Sequence, residues 1–445
     1  MSKTLKLGRA LALTVALLMV CSAAAAAEPV TIRYVLWDAN QLPAYQKVAD
    51  NFMAKNPDIK IVIGQLGWGD YWNDLQTSMV AGTAADVFTD HLAKYPEFAS
   101  KGQLLDIAPL VKADGVNTSI YLNGLADLWT RDGKRYGLPK DWDTIAVVYN
   151  KTMLKEAGLT QKDIDSWTWN PNDGGTFQQA LAMIAQDKNG NNGLSPKFDP
   201  KNVVRWGTAM DYVNMGAYGQ QMWSALAVST GWKYIDGMYG RKYYYDDPKF
   251  ISTIQWLADL SRKKGLMAPF EALSNFSSNA LFSSKRIGLV LDGSWMIGFY
   301  ASNADFPVGF ARLPIGPTGR RSMFNGLADS IYVGSTHQKE AWRWVKYLGS
   351  AEAQNVVGSY GVVFPAIESG VQAALKAYKE KNLDVSAFTA QALEKNGTFL
   401  FPVTDNASEI NSIMQQTSDS IFLGKTAAAD ALKAANAKVN ATFTK

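Results

Sequence analysis

One cysteine and two histidines are all that this chain of 445 residues carries of those ligand types. The cysteine, Cys21, falls in an N-terminal segment that reads as removable, so the working chain is expected to have no thiol and no disulfide. His91 and His337 stand isolated in sequence, which argues against a zinc site and a His-dependent catalytic triad. After residue 27 no stretch approaches the ~18 apolar residues of a membrane span. A dominant charge is lacking too. The net charge is +4 overall, and setting aside Lys3, Lys6 and Arg9 brings it to +1, so the surface has no electrostatic reason to seek nucleic acid or anionic lipid.

What is present begins with the first 27 residues. Lys3, Lys6 and Arg9 lead into the apolar run Leu11 to Val20 and then into small residues ending at Ala27. A basic start, a short apolar core and a small-residue cleavage site describe a secretory signal, so cleavage near Ala27 and export to a bacterial periplasm are expected. Cys21 as a lipid attachment site is disfavoured by the bulky Leu18, Met19 and Val20 ahead of it. The rest is long enough for two or three globular units.

Aromatic content is the unusual quantity, with 14 Trp and 19 Tyr. So many large rings serve packing or recognition, and the chain reads as built to bind rather than to react. It opens with the strand-like run Val30 to Leu36, then a helix pattern with Tyr45, Val48 and Phe52 on one face. A strand at Ile59 to Ile63, a helix pattern around Leu75 to Val80 and a strand at Asp86 to Phe88 follow. Alternation of this kind argues a mostly parallel α/β sheet, in which ligands bind beyond the C-terminal strand ends. Trp37, Asp38, Trp68, Thr89 and Asp90 fall at or just after such ends.

The segment from Gly133 to Lys151, with Tyr136-Gly137-Leu138-Pro139 and Tyr149-Asn150-Lys151, followed by Ala157-Gly158-Leu159, resembles a pattern of the maltose-binding-protein-like solute-binding proteins of ATP-driven sugar importers. Other matches follow in order: Phe52 to Ile61; Ala81-Gly82-Thr83 before Asp86-Val87, with Ala85 in place of the usual proline; Gly288 to Trp295; Leu313 to Pro317; and Glu340 to Trp344. The resemblance covers nearly the whole chain after residue 27. It implies a type II periplasmic-binding fold, two hinged α/β lobes each with a central, mostly parallel sheet flanked by helices. By that similarity lobe one is 28–142 with 327–352 and lobe two is 143–326 with 353–445, with crossings near 141–144, 325–329 and 349–360.

The resemblance further implies a monomeric protein that captures a mono- or oligosaccharide between its lobes and delivers it to a membrane permease, with no catalytic residue, metal or cofactor. A sugar presents apolar C–H faces and a rim of hydroxyls, so it calls for aromatic platforms beside paired donors and acceptors. Trp37 lies beside Asp38 and Gln41, and Asp292-Gly293-Ser294-Trp295 follows the apolar run Ile287 to Leu291, where the relatives stack a tryptophan on a sugar ring. Asp141, Trp142, Asp143, Asn325 and Gly326 sit at the implied crossings, and either Trp223 or Trp232 is a further stacking candidate. Trp72, Trp256, Trp342 and Trp344 read as packing residues on helices, and Tyr243-Tyr244-Tyr245 as a strand before a helix rather than a metal-binding set. Two other readings remain: a secreted glycoside hydrolase using Asp141 and Asp143 as acid and base, and a binder of a non-sugar solute such as a polyamine.

Overall fold

The computed structural model describes residues 28–210, 219–221 and 223–444. The expected export signal, its cleavage site and Cys21 lie outside the described residues.

Strand β1 (Val30–Leu36) buries Ile32, Tyr34 and Leu36 on one face and exposes Thr31 and Arg33 on the other, the period-2 pattern of a half-covered strand. Helix α1 (Leu42–Lys55) carries Pro43 in its first turn and buries Ala44, Tyr45, Val48, Ala49 and Phe52. Strand β2 (Ile59–Gln65), helix α2 (Trp68–Ala81) and strand β3 (Val87–His91) follow, α2 stopping at the left-handed Gly82. Both β2 and β3 pair with β1 in parallel.

Strand β4 (Leu138–Asp143) belongs to this first sheet, and after Thr144 the chain enters a second sheet as β5 (Ile145–Asn150), buried at every position. The second sheet adds β6 (Gln186–Asp187), β7 (Val203–Thr208), β8 (Ile287–Gly293) and β9 (Val308–Ala311) in the order β9-β5-β8-β7-β6. Helix α3 (Pro248–Arg262) packs in this half, its cap Asp247 accepting from the Lys249 N–H. Strand β10 (Ser322–Ile331), buried throughout, returns to the first sheet between β4 and β3.

Helices α4 (Gln338–Leu348) and α5 (Ala351–Tyr360), strand β11 (Phe364–Pro365) and helix α6 (Glu368–Glu380) stay with the first sheet: β11 pairs with β4, α5 packs on α1, and α6 packs on α5. Helix α7 (Ser386–Leu393) then packs on β5 and β9, strand β12 (Thr398–Leu400) pairs with the first residues of β10, and α8 (Ala407–Phe422) and α9 (Ala428–Ala441) pack against α3.

Two expectations are corrected here. The sheets are mixed rather than mostly parallel, since β10 runs antiparallel to β3 and β4, and β5 antiparallel to β8 and β9. These strands arrive from the other sheet instead of over a crossover helix, so nothing forces them parallel. Sheet membership also differs from the expected division: 322–326 and 353–380 lie with the first sheet, and the chain leaves it after Glu380 rather than after 352. The tyrosine run forms only an isolated bridge, Tyr243 to Ile235, because the N–H groups of Tyr243 and Tyr245 donate to Asn440 and Asn436 of α9 instead of to a strand. Among the described residues no helix is long and apolar enough to cross a membrane.

Candidate functional site

The parallel strands of the first sheet all end on one side, and there their last residues gather. Trp37 follows β1, Trp68 opens α2 after β2, and His91 ends β3. Their rings interlock edge to face: Trp37 and Trp68 have centroids 5.1 Å apart at 88°, and Trp68 and His91 lie 5.4 Å apart. Trp72 and Tyr71 back this cluster from α2, with Trp72 almost fully buried as expected of a packing residue. From the second sheet the end of β8 supplies Ser294 and Trp295. Between these walls lies a cavity of about 300 Å³, lined from both sheets.

Ten of the expected site residues line it: Trp37, Asp38, Gln41, Trp68, Asp141, Trp142, Asp143, Ser294, Trp295 and Asn325. The carboxylate of Asp38 accepts from the Asn40 N–H and from Gln41 Nε2, at 2.9 Å each, which presents both side chains at the start of α1. Asp143 and Asn325 are register partners on β4 and β10, and Asn325 Nδ2 donates to Asp143 Oδ2 at 3.2 Å while Gln220 Nε2 reaches Oδ1. Three buried oxygens of this wall, Gln41 Oε1, Asp141 Oδ2 and Asn325 Oδ1, and the Trp142 indole Nε1 find no hydrogen-bond partner in the protein. Burial without a partner costs on the order of 1–3 kcal/mol per group, so the site is arranged to receive something that satisfies them.

Burial dominates the electrostatics. It raises Asp141 to about 7 despite the opposing pull of Lys140, with Asp329 and Asp38 adding to the rise. Asp143 is pushed well up by burial and then by Asp141. His91 is pushed down to about 3 by burial and Lys94, and its Nδ1 accepts from the Ala93 N–H, so the ring is neutral.

Six expected site residues do not line the cavity. Strand β3 runs on to His91, so Thr89 and Asp90 sit inside it: Thr89 bonds to Tyr34 and Asp329 beneath the floor, and Asp90 accepts from Ser330 of β10. Trp223 is 1% exposed, packed with Trp232, Tyr234 and Phe250, and Trp232 is equally buried. Asp292 lies behind the wall, where it accepts from Gln221 Nε2 and Tyr300 OH, both at 2.6 Å, and so presents Gln221. Gly293 makes room for a ring, since a Cβ there would fall 1.8 Å from Trp295 Cζ3. Gly326 packs toward Leu125.

Trp142 is at the cavity but is no platform. Phe364 stacks on it at 5.0 Å and 19°, and Phe324 at 5.8 Å and 22°, leaving an edge whose Nε1 lacks a partner. Residues that the sequence reading missed include His91, Gln220, Gln221, Asn279, Met296 and Val363. The signal for Gln220 and Gln221 is a pair of amides just ahead of Trp223, whose ring is the more conspicuous recognition group.

Comparison with known proteins bears on this geometry. The family model described as bacterial extracellular solute-binding protein matches residues 38–355. A putative binding protein of Brucella abortus is 26% identical over 421 residues, covering 92% of each chain. The maltotriose-binding protein of Pyrococcus abyssi is 24% identical over 324 residues, 71% of this chain and 62% of its own. The solved structure of an ABC substrate-binding protein of Listeria monocytogenes in complex with cycloalternan has a TM-score of 0.80 at 20% identity, covering 94% of this chain and 100% of that one. That likeness concerns the fold, the two-lobe type II periplasmic-binding architecture into which both sheets and their crossings fit. With the match running over most of its length, this chain belongs to the bacterial extracellular solute-binding proteins.

Proposed function

We propose that this protein is the exported, monomeric substrate-binding component of an ATP-driven importer, capturing a mono- or oligosaccharide in the cavity between its lobes and delivering it to a membrane permease. The observation that carries the reading is the composition of the two walls. Trp37 and Trp68 at the ends of the first-sheet strands face Trp295 from the second sheet, with amides and carboxylates between them. Tryptophan faces suit the C–H faces of a pyranose, and the side-chain acceptors suit its hydroxyls. Relatives whose names state a ligand point the same way: maltotriose for the Pyrococcus protein and cycloalternan for the Listeria structure.

Contacts from both lobes stabilise the closed form on binding, with Thr144, the 312–321 segment and the 381–385 segment as the crossings about which the lobes move. Residues 1–27 act as the signal, cleaved near Ala27. The protein performs no chemistry on its ligand; Asp141 and Asp143 serve as hydrogen-bonding groups rather than as an acid and base.

A thermal-shift screen of the mature chain against mono-, di- and oligosaccharides tests this, with spermidine and divalent metal ions as controls. Binding to the native state alone raises the melting temperature. A selective rise with a sugar is expected, and a rise with spermidine or a metal but with no sugar refutes it. Turnover of chromogenic glycosides would refute the non-enzymatic reading.

A further inference from the structure

Sorted by charge and by hydrogen-bonding sense, the cavity wall is one-sided. Three carboxylates line it, Asp38, Asp141 and Asp143, and among the described lining residues there is no lysine or arginine. Residues 211–218, outside the described set, contain neither in sequence. His91, the imidazole at the wall, is held neutral. Lys140 lies beside Asp141, but its ammonium is engaged elsewhere. Its Nζ donates to Thr89 Oγ1 at 3.1 Å and lies over the Tyr45 ring at 4.1 Å, while Asp141 Oδ2 is 3.9 Å off and receives no hydrogen bond.

The unmatched atoms lean the same way. Gln41 Oε1, Asn325 Oδ1 and, in its ionised form, Asp141 Oδ2 are acceptors, against the single donor Trp142 Nε1. A ligand that fits must bring donors in excess, and a wall of three carboxyl groups whose one neighbouring ammonium, on Lys140, donates to Thr89 disfavours phosphorylated sugars and uronic acids. A hydroxyl offers one hydrogen to donate. A protonated amine offers three and a positive charge, and the faces of Trp37, Trp68 and Trp295 attract that charge as well.

Resting on the sugar reading above, we infer that the cleft is specific for an amino sugar, a saccharide whose free amine is received as an ammonium by Asp141 and Asp143. Around Asp141 the charged or titratable groups are Asp38, Asp143, Asp329, Lys140 and Tyr45, so the pocket keeps an excess of carboxylates over cations. Burial leaves Asp141 partly protonated at neutral pH in the empty cleft. An arriving ammonium favours the carboxylate form, and the carboxyl proton leaves to solvent: one neutral acid and one cation become an ion pair plus a released proton.

The test is isothermal titration of the mature protein at pH 7 with glucosamine, galactosamine and mannosamine and the β-1,4 glucosamine di- and trisaccharides. Each is paired with its N-acetyl form and its parent neutral sugar, and titrations run in two buffers of different ionisation enthalpy. We expect at least one free amine to bind tenfold or more tightly than both of its counterparts, with net proton release. Asp141→Asn and Asp143→Asn should each cut that amine-to-hydroxyl ratio at least fivefold, with unliganded melting curves reporting their folding. Neutral or N-acetylated sugars that bind as well as every amine would overturn the inference and leave the sugar reading standing. Spermidine binding with no sugar of any kind bound would sink both.

Discussion

Adding one methyl group at Gly293 isolates the contribution of the second-sheet wall. The backbone there has φ −87° and ψ 159°, ordinary extended geometry that alanine adopts without strain. The consequence of Gly293→Ala therefore lands on the Trp295 ring, whose Cζ3, Cη2 and Cε3 lie 1.8, 2.1 and 2.2 Å from the new Cβ position. The indole has to swing away from its place at the cavity wall. An indole laid on a sugar face covers on the order of 80 Å² of apolar surface, about 2 kcal/mol at ~25 cal/mol/Å², or roughly thirtyfold in Kd. Titration calorimetry with the sugar identified by the screen should show this loss, with little change in unliganded melting temperature. Trp295→Ala should lose a similar amount and the double variant no more than either, because both single changes remove the same contact. Unchanged affinity in Gly293→Ala, or two losses that add in full, would refute the assignment of Trp295 as a ligand platform held by its neighbouring glycine.

Three further outcomes follow from the packing and charge of this chain. Burial raises Asp90 to about 8, so between roughly pH 4 and 8 the folded chain binds a proton that the unfolded chain has lost. Stability present at low pH is thus lost as pH rises through that value, and Asp90→Asn should flatten the slope of melting temperature against pH, by at most ~1.4 kcal/mol per pH unit; an unliganded protein that grows more stable from pH 5 to 8 in the native form contradicts this. Trp223→Ala opens the buried cluster with Trp232, Tyr234 and Phe250 and should cost about 3–5 kcal/mol in urea unfolding, whereas a mild loss of stability with a large loss of affinity would return Trp223 to the site. Arg131 makes a two-point bond to Asp405 at 2.6 and 3.0 Å and lies 4.6 Å over Tyr239, tying the hairpin formed by residues 130–135 to the segment that leads into α8. Asp405→Ala should weaken ligand binding about fivefold and raise the radius of gyration measured by small-angle X-ray scattering without ligand, and an unchanged radius would show that this pair does not hold the lobes together.

Where the sequence is legible in this protein, the legible feature is a strand end. Trp37 and Trp295 follow runs whose apolar character stops abruptly, and both reach the cavity. Strand β3 defeats the same reading because its last residues are polar and still buried. Tyr34 and Asp329 satisfy Thr89 from neighbouring strands, and Asp329 lies 240 residues away in sequence, so local pattern places the strand end three residues early and hides His91. The motif series holds residues that line the cavity, yet it does not say which face of an aromatic is free. Trp142 lines the cavity with an edge only, since Phe364 and Phe324 arrive from other strands to cover its ring. Of Trp223 and Trp232, offered by residue type as stacking candidates, the fold buries both rings and presents the neighbouring amides Gln220 and Gln221 instead, the second held by Asp292. Residue type announces what a side chain is able to do, while long-range pairing decides which of its atoms remain unpaired. In this cavity the unpaired set is dominated by acceptors, with one indole N–H beside them, and that imbalance appears only when β4, β10 and the start of α1 are brought together. The specificity proposed for the cleft therefore rests less on the tryptophans than on three oxygens that the protein itself leaves without a donor.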